Sequence, residues 1–211
     1  MAAAIGDAAQ VAELDATVEA AVEEHADAVE RTGGIDVSLN LISRGDVQGI
    51  PLAQMELGQF EGVFDIGLRS LFLTARAAAR RMAERGSGVI LHLNSGSAAG
   101  AQAGMGNTGP VDAASEVFMR YLAVENGASG VRVAGIHTAA VEETLTAEKL
   151  GAVSEQAPSP EQVIAGISAI ALLGRPPRMA DVAETAAFLA SDRAAGITAS
   201  ITNVTCGLIH E

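Results

Sequence analysis

Basic side chains are scarce in this chain: 13 Lys and Arg stand against 26 Asp and Glu in 211 residues, a formal net charge of −13 at pH 7. Such a surface repels phosphate backbones and anionic bilayers, and no Lys/Arg stripe offsets it locally, so neither nucleic acid nor a membrane is an expected partner. Cysteine is almost absent. The one thiol, Cys206, has no intrachain partner and suits a reducing cytoplasm, the compartment expected here. In its apolar C-terminal setting it reads as a packed side chain. Long apolar runs are missing too: no stretch of about 18 uncharged apolar residues occurs. The start, Met-Ala-Ala-Ala-Ile-Gly-Asp, lacks the basic region and sustained apolar core of a secretory signal. No two of the four histidines stand at metal-ligand spacing with a cysteine or carboxylate, so no metal is expected.

What is present is apolar residues, 49% of the chain, with a mean hydropathy of +0.29. That is enough for one domain over residues 1–211 with a buried core. Val11 to Leu14 reads as a short strand. Val18, Ala21, Val22, His25, Ala28 and Val29 then repeat at helical spacing, with Thr17 as the expected N-cap and Gly33-Gly34 as the stop. Ile35 to Ile42 is rich in branched residues and reads as a buried parallel strand. A long helix is expected from Glu56 to Glu84, strands at Val89–Leu93 and Val131–His137, and a helix over Val111–Asn126 between them. Residues 138–158 show no strong periodicity and read as a lid or substrate loop. Ser159-Pro160-Glu-Gln starts a helix that ends near Gly174, another spans Asp181–Asp192, and Ala199–Thr205 closes as a strand. Alternation of strand and helix implies a doubly wound parallel sheet.

Ligands of such a sheet lie outside the carboxyl ends of its strands. That places Asn94, Ser95, Ser97, His137 and Thr138 near Thr108 and Asp112. His137 and Asp112 could form an acid/base pair near neutral pH, or His137 could cap a loop while Asp112 stabilises the positive end of its helix. His92, inside a strand, reads as a packed or helix-facing side chain; His25 and His210 read as exposed. Arg80 to Arg85 favour the negative end of the long helix.

Three segments share a recognisable frame. Gly88-Val-Ile-Leu-His-Leu-Asn-Ser-Gly-Ser97 is an apolar strand ending in hydroxyls. The helix that follows carries Ala113-Ala114-Ser-Glu116 and Arg120-Tyr-Leu-Ala-Val-Glu125. Near the C-terminus, Gly174-Arg-Pro-Pro-Arg precedes Asp181-Val-Ala-Glu-Thr-Ala-Ala-Phe-Leu-Ala-Ser-Asp192. Together they resemble the short-chain dehydrogenase/reductase superfamily over nearly the whole chain. The resemblance implies a Rossmann-like α/β fold and an oxidoreductase using a nicotinamide dinucleotide.

The departures from that frame carry as much information. The family's catalytic tyrosine falls on Thr108 and its lysine on Asp112. An aliphatic hydroxyl is a far weaker acid than a phenol, and a carboxylate inverts the neighbouring charge. The family serine matches Ser95 by spacing and Ser97 by its Ser-Ala-Ala-Gly context. The active-site asparagine of the long helix falls on Gly67, the Asn-Ala-Gly turn on Leu41-Ile-Ser43 with Asn40 keeping one amide, and a Pro-Gly pair on Thr138-Ala139. Asp15 aligns with the aspartate after the family's third strand. The first strands and the glycine-rich turn therefore have no counterpart, and residual cofactor contacts fall to Asp15, Asn40 and Thr138.

The expected chain is thus a divergent, N-terminally truncated family member. No cofactor is expected, NAD(P) entering only if its site is rebuilt or the chain is a fragment. Three functions follow: cofactor-independent acid-base chemistry on a small-molecule ligand (isomerisation, elimination or cyclisation); a non-catalytic interaction protein; and a fragment of an NAD(P)-dependent oxidoreductase. A homo-oligomer is expected through the long helices, where small residues in Ala75–Ala83 and at Ala113-Ala114 permit close approach.

Overall fold

The computed structural model describes residues 5–153 and 158–210. Its centre is the pair of strands with the longest apolar runs, β2 (Gly88–Ser95) and β3 (Val131–Thr138). They pair in parallel from Gly88 opposite Val131 to Ser95 opposite Thr138. β1 (Val37–Asn40) joins β2 and β4 (Ile201–Val204) joins β3, giving a four-stranded parallel sheet of order β1-β2-β3-β4. Among the described residues the α-helices are, in chain order, α1 (Glu19–Thr32), α2 (Leu57–Val63), α3 (Arg69–Arg85), α4 (Thr108–Asn126), α5 (Ala147–Val153), α6 (Pro160–Ile170) and α7 (Met179–Ala190).

Because side chains alternate across a strand, the apolar runs of β2 and β3 feed two cores. Ile90, Val131 and Val133 pack under Leu71, Ala75 and Met82 of α3 and Met119 and Leu122 of α4. Val89, Leu91, Ala134 and Ile136 face Leu189 and Val182 of α7 on the other side. Helices on both faces of a parallel sheet make the Rossmann-like α/β arrangement that the alternation implies. α1 stacks Val22 and Ala26 on Leu73 and Ala77 of α3. Its acidic face meets the arginines of α3: Arg81 pairs with Glu23 and Asp27, and Arg85 with Glu30. These arginines therefore tie two helices together as well as facing a helix terminus.

Several local expectations hold. Gly33 and Gly34 end α1 with φ of 147° and 96°, a conformation open to glycine. At the start of α6, Ser159 Oγ accepts the Gln162 amide at 3.4 Å, and Gln162 Oε1 accepts the Ser159 amide at 3.0 Å. Others change. Val11–Leu14 is not a strand: it has no strand partner, and Leu14 packs beside α1 instead. Val18, not Thr17, occupies the N-cap of α1, because Thr17 donates its hydroxyl to Asp15 at 2.6 Å. The strand within Ile35–Ile42 is parallel but not buried; with β2 on one side only, it leaves Val37, Leu39 and Leu41 exposed. The aperiodic interval contains α5, and its residues 154–157 lie outside the described residues.

The long helix expected at Glu56–Glu84 is continuous but not uniform. α2 and α3 are joined by one π turn at Phe64–Leu68, a feature common at functional sites. It brings Gly67 to the carboxyl end of the sheet, beside the site described next. No helix among the described residues is long and apolar enough to cross a membrane.

Candidate active site

The sheet's carboxyl rim is built by the ends of β1 to β3 and the first turns of α4. Ser95 and Thr138 end adjacent strands and stand opposite each other. α4 turns Thr108, Val111, Asp112, Ser115 and Glu116 inward, so polar groups enter the core at the helix start. Burial there requires partners.

Asp112 finds two. Ser95 Oγ donates to its Oδ2 at 2.5 Å, and Arg44 NH1 donates to its Oδ1 at 2.5 Å. The carboxylate is fully buried and Arg44 nearly so. Arg44 also grips Asp46, through NH2 to Oδ1 at 2.8 Å and Nε to Oδ2 at 3.3 Å. Burial pushes the Asp112 carboxyl above the usual carboxylate range, opposed by the guanidinium and by the Ser95 hydroxyl. The Arg44 guanidinium is held above its ordinary value by the two carboxylates, against its own burial. An Arg–carboxylate contact at this distance is a charge-assisted hydrogen bond, shorter and stronger than a neutral one.

Gly67 makes the arrangement possible. A Cβ at this position would lie 2.4 Å from Cδ and 2.8 Å from Cγ of Arg44, well inside van der Waals contact. The side chain missing from the long helix is the space that the arginine stem occupies. Gly67, Arg44 and Asp112 therefore form one unit, although they are separated in sequence and belong to the π turn, the loop after β1 and α4.

His137 does not meet Asp112. It is buried and its Nε2 pairs with Oε1 of Glu116, one helical turn deeper along α4. Arg120 donates to the other oxygen of Glu116 at 3.0 Å. Despite burial, His137 and Arg120 lower the pKa of the Glu116 carboxyl. Of the two readings of these residues, the His137–Asp112 pair is replaced by two separate pairs, His137–Glu116 and Arg44–Asp112, because each acid has a partner on its own side.

The other candidates fall as follows. The Ser97 amide donates to Ser95 Oγ at 3.2 Å, so both serines belong to one turn while only Ser95 reaches Asp112. Thr108 is buried with its Oγ1 unpartnered, as is Oδ1 of Asn94, whose Nδ2 donates to the Asp112 carbonyl at 3.2 Å. Asn40 donates to the Thr74 hydroxyl at 3.1 Å, and Thr138 donates to the Val204 carbonyl at 3.3 Å. Asp15 lies in an exposed turn, bonded to Thr17 and outside the Asp112 cluster; those hydrogen bonds lower its pKa. Sequence reading missed Arg44, Asp46 and the pairing of Glu116. Among the described residues, no three His, Cys, Asp or Glu side chains come together as a metal site.

A nicotinamide dinucleotide, the cofactor the resemblance implies, finds a partial match at this rim. Asn40, Ser95 and Thr138 offer amide and hydroxyl groups, and the unpartnered oxygens of Thr108 and Asn94 lie just beneath, a set suited to an uncharged ribose or amide. No glycine-rich turn opening a helix stands among the described residues to cradle a pyrophosphate.

Comparison with known proteins places this geometry in context. The family described as enoyl-(acyl carrier protein) reductase matches residues 1–209. The chain is 27% identical to sorbitol-6-phosphate 2-dehydrogenase of Klebsiella pneumoniae over 209 residues, covering 95% of this chain and 77% of that one. It is 31% identical to an enoyl-[acyl-carrier-protein] reductase [NADH] of Nostoc over 181 residues, 84% of this chain and 66% of the relative. Among solved structures, sorbitol-6-phosphate 2-dehydrogenase from Erwinia amylovora superposes with a TM-score of 0.80 at 28% identity, covering 94% of this chain and 78% of that one. A 3-ketoacyl-(acyl-carrier-protein) reductase from Brucella melitensis complexed with NADH, 23% identical, shares the fold with a TM-score of 0.83 over 98% of this chain and 81% of that one. The expectation that no cofactor serves this chain is corrected by these proteins: the Nostoc relative is named for NADH, and the Brucella structure holds it. That expectation rested on the missing counterpart of the family's first strands and glycine-rich turn, together with the changed motif residues. With a family match over residues 1–209 and the parallel sheet in place, the chain belongs to the short-chain dehydrogenase/reductase superfamily.

Proposed function

We propose that this protein is an oxidoreductase of the short-chain dehydrogenase/reductase lineage that binds a nicotinamide dinucleotide at the carboxyl ends of β1 to β3, and that its proton-handling group is Ser95 backed by Asp112. The observation that carries the reading is the Ser95 Oγ–Asp112 Oδ2 contact of 2.5 Å with Arg44 on the opposite oxygen.

The bound dinucleotide supplies the hydride chemistry; this chain supplies proton transfer and positioning. Ser95 exchanges a proton with the oxygen of a small-molecule alcohol or carbonyl at the rim. Asp112 stands behind Ser95 as the acceptor, and its raised pKa makes it a stronger base than an ordinary surface carboxylate. Arg44 fixes the carboxylate and balances its charge. Asn40 and Thr138 contact the cofactor at the strand ends, with Asp15 in the neighbouring turn. Thr108 and Ser97 frame the serine. His137, closed off with Glu116, holds α4 against β3 and takes no direct part.

The protein acts as a homo-oligomer through α3 and α4. Phe72, Val117, Tyr121 and Val124 are exposed along these helices, more apolar surface than solvent-facing helices normally carry.

Asp112→Asn tests the catalytic part. It keeps the shape and the Arg44 contact but removes the base, so turnover falls by at least roughly tenfold while dinucleotide binding persists. Turnover equal to that of the unaltered protein would overturn the assignment.

A further inference from the structure

A second polar cavity opens beside Arg44. It has a volume of about 210 Å³ and lies between the end of β1, the π turn and the middle of β2, bounded by Asn40, Ser43, Arg44, Asp46, Gly67 and His92. His92 is 5% exposed, and neither of its ring nitrogens has a hydrogen-bond partner. It faces the helices from within β2, level with Asn40 on the neighbouring strand. A buried imidazole with no hydrogen bond of normal geometry is costly; the Asn94 side chain is the protein group that approaches it, and the ring also lines the cavity.

The charges around the cavity define what fits. Each of the three nitrogens of Arg44 already donates to a carboxylate, Nε and NH2 to Asp46 and NH1 to Asp112. Three of its five N–H groups are thus engaged, and the two carboxylates outweigh the one guanidinium, so an anion is repelled. A cation would meet the guanidinium. Burial and the nearby Arg44 lower the His92 pKa to about 4, so the ring is neutral and offers one donor and one acceptor. A hydroxyl group matches that pair in either tautomer, donating to the bare nitrogen or accepting from the N–H.

We propose that this cavity is a binding site for a small, uncharged, hydroxyl-bearing molecule held by His92. Gly67 and Ser43 keep it open: Gly67 because a side chain there would collide with Arg44, and Ser43 because it is small and exposed at the mouth.

Glycerol serves as the probe, with inorganic phosphate as the charged control and the histidine ring signals in heteronuclear NMR as the readout. His92→Gln, which keeps one donor and one acceptor, identifies the His92 signal by its loss. Glycerol shifts that signal along a saturating curve with a midpoint on the order of 10 mM, as befits a ligand of few atoms. Ser43→Phe, a change at the exposed mouth that leaves the core intact, abolishes the shift, and phosphate produces none that saturates. A response to glycerol that stays linear throughout, or that survives Ser43→Phe, would overturn the site. Saturation by phosphate would overturn the class of ligand.

Discussion

Arg44 NH1 stands 2.5 Å from Oδ1 of a fully buried Asp112, and the arginine stem crosses the bare Cα of Gly67 to get there. Two residues that look like independent losses when compared with the family frame, Gly67 and Asp112, form one compensated arrangement with Arg44. An acid at position 112 needs a cation, the cation comes from the loop after β1, and its path requires glycine at 67.

The pair is coupled, and stability shows it. Arg44→Met strands a buried carboxylate and destabilises the fold by about 3–5 kcal/mol. Adding Asp112→Leu recovers a large part of that loss, since the pair is then replaced by apolar groups. Urea unfolding of both single variants and the double variant gives the coupling; strict additivity would contradict it.

Gly67→Ala tests the path. Its Cβ would fall 2.4 Å from Cδ of Arg44, so the arginine must leave or the π turn must shift, at a cost of about 1–3 kcal/mol. In an Arg44→Ala background the same change is nearly neutral. Equal costs in the two backgrounds, measured by denaturant melts, would show that Gly67 serves some other contact.

His92 predicts a pH dependence. Its pKa is lowered from 6.5 to about 4 in the folded protein, so the unfolded chain takes up a proton first as the solution is acidified. The contribution is fully present above pH 6.5 and is lost as pH falls toward 4, in total roughly 3 kcal/mol. His92→Leu removes this component. The stability difference between pH 7 and pH 5 is therefore smaller in the variant, as read from urea melts at the two pH values.

The helix faces predict an assembly. Tyr121 and Val124 are 67% and 79% exposed on α4. Tyr121→Glu together with Val124→Glu shifts sedimentation from oligomer to monomer with the helical circular dichroism unchanged. An unaltered sedimentation coefficient would place the contact elsewhere.

The fold was legible because its determinants are local and repetitive. The branched runs at Val89–Leu93 and Val131–His137, the Ser159-Pro160 start and the Gly33-Gly34 stop each act within a few residues, and all four stand in the structure. Val11–Leu14 failed because a strand exists only by pairing, and no periodicity reveals the absence of a partner. The site was half legible. Ser95, Thr108 and Asp112 came from the family resemblance and its motif spacing, whereas Arg44 lies in a loop where nothing fixes side-chain direction. The one available signal was chemical: an aspartate on the buried face of an apolar helix calls for a cation, and Arg44 is the arginine nearest the carboxyl end of a strand. Both readings of His137, a pair with Asp112 or a loop cap, overlooked Glu116, one turn further along α4, with which it pairs.

The central claim concerns the cofactor, and calorimetric titration of NADH and NADPH into the full chain tests it most directly. The account predicts a saturable isotherm with at least one of the two nucleotides, retained in Asp112→Asn. A flat titration with both, in protein whose melting curve is cooperative, would contradict it.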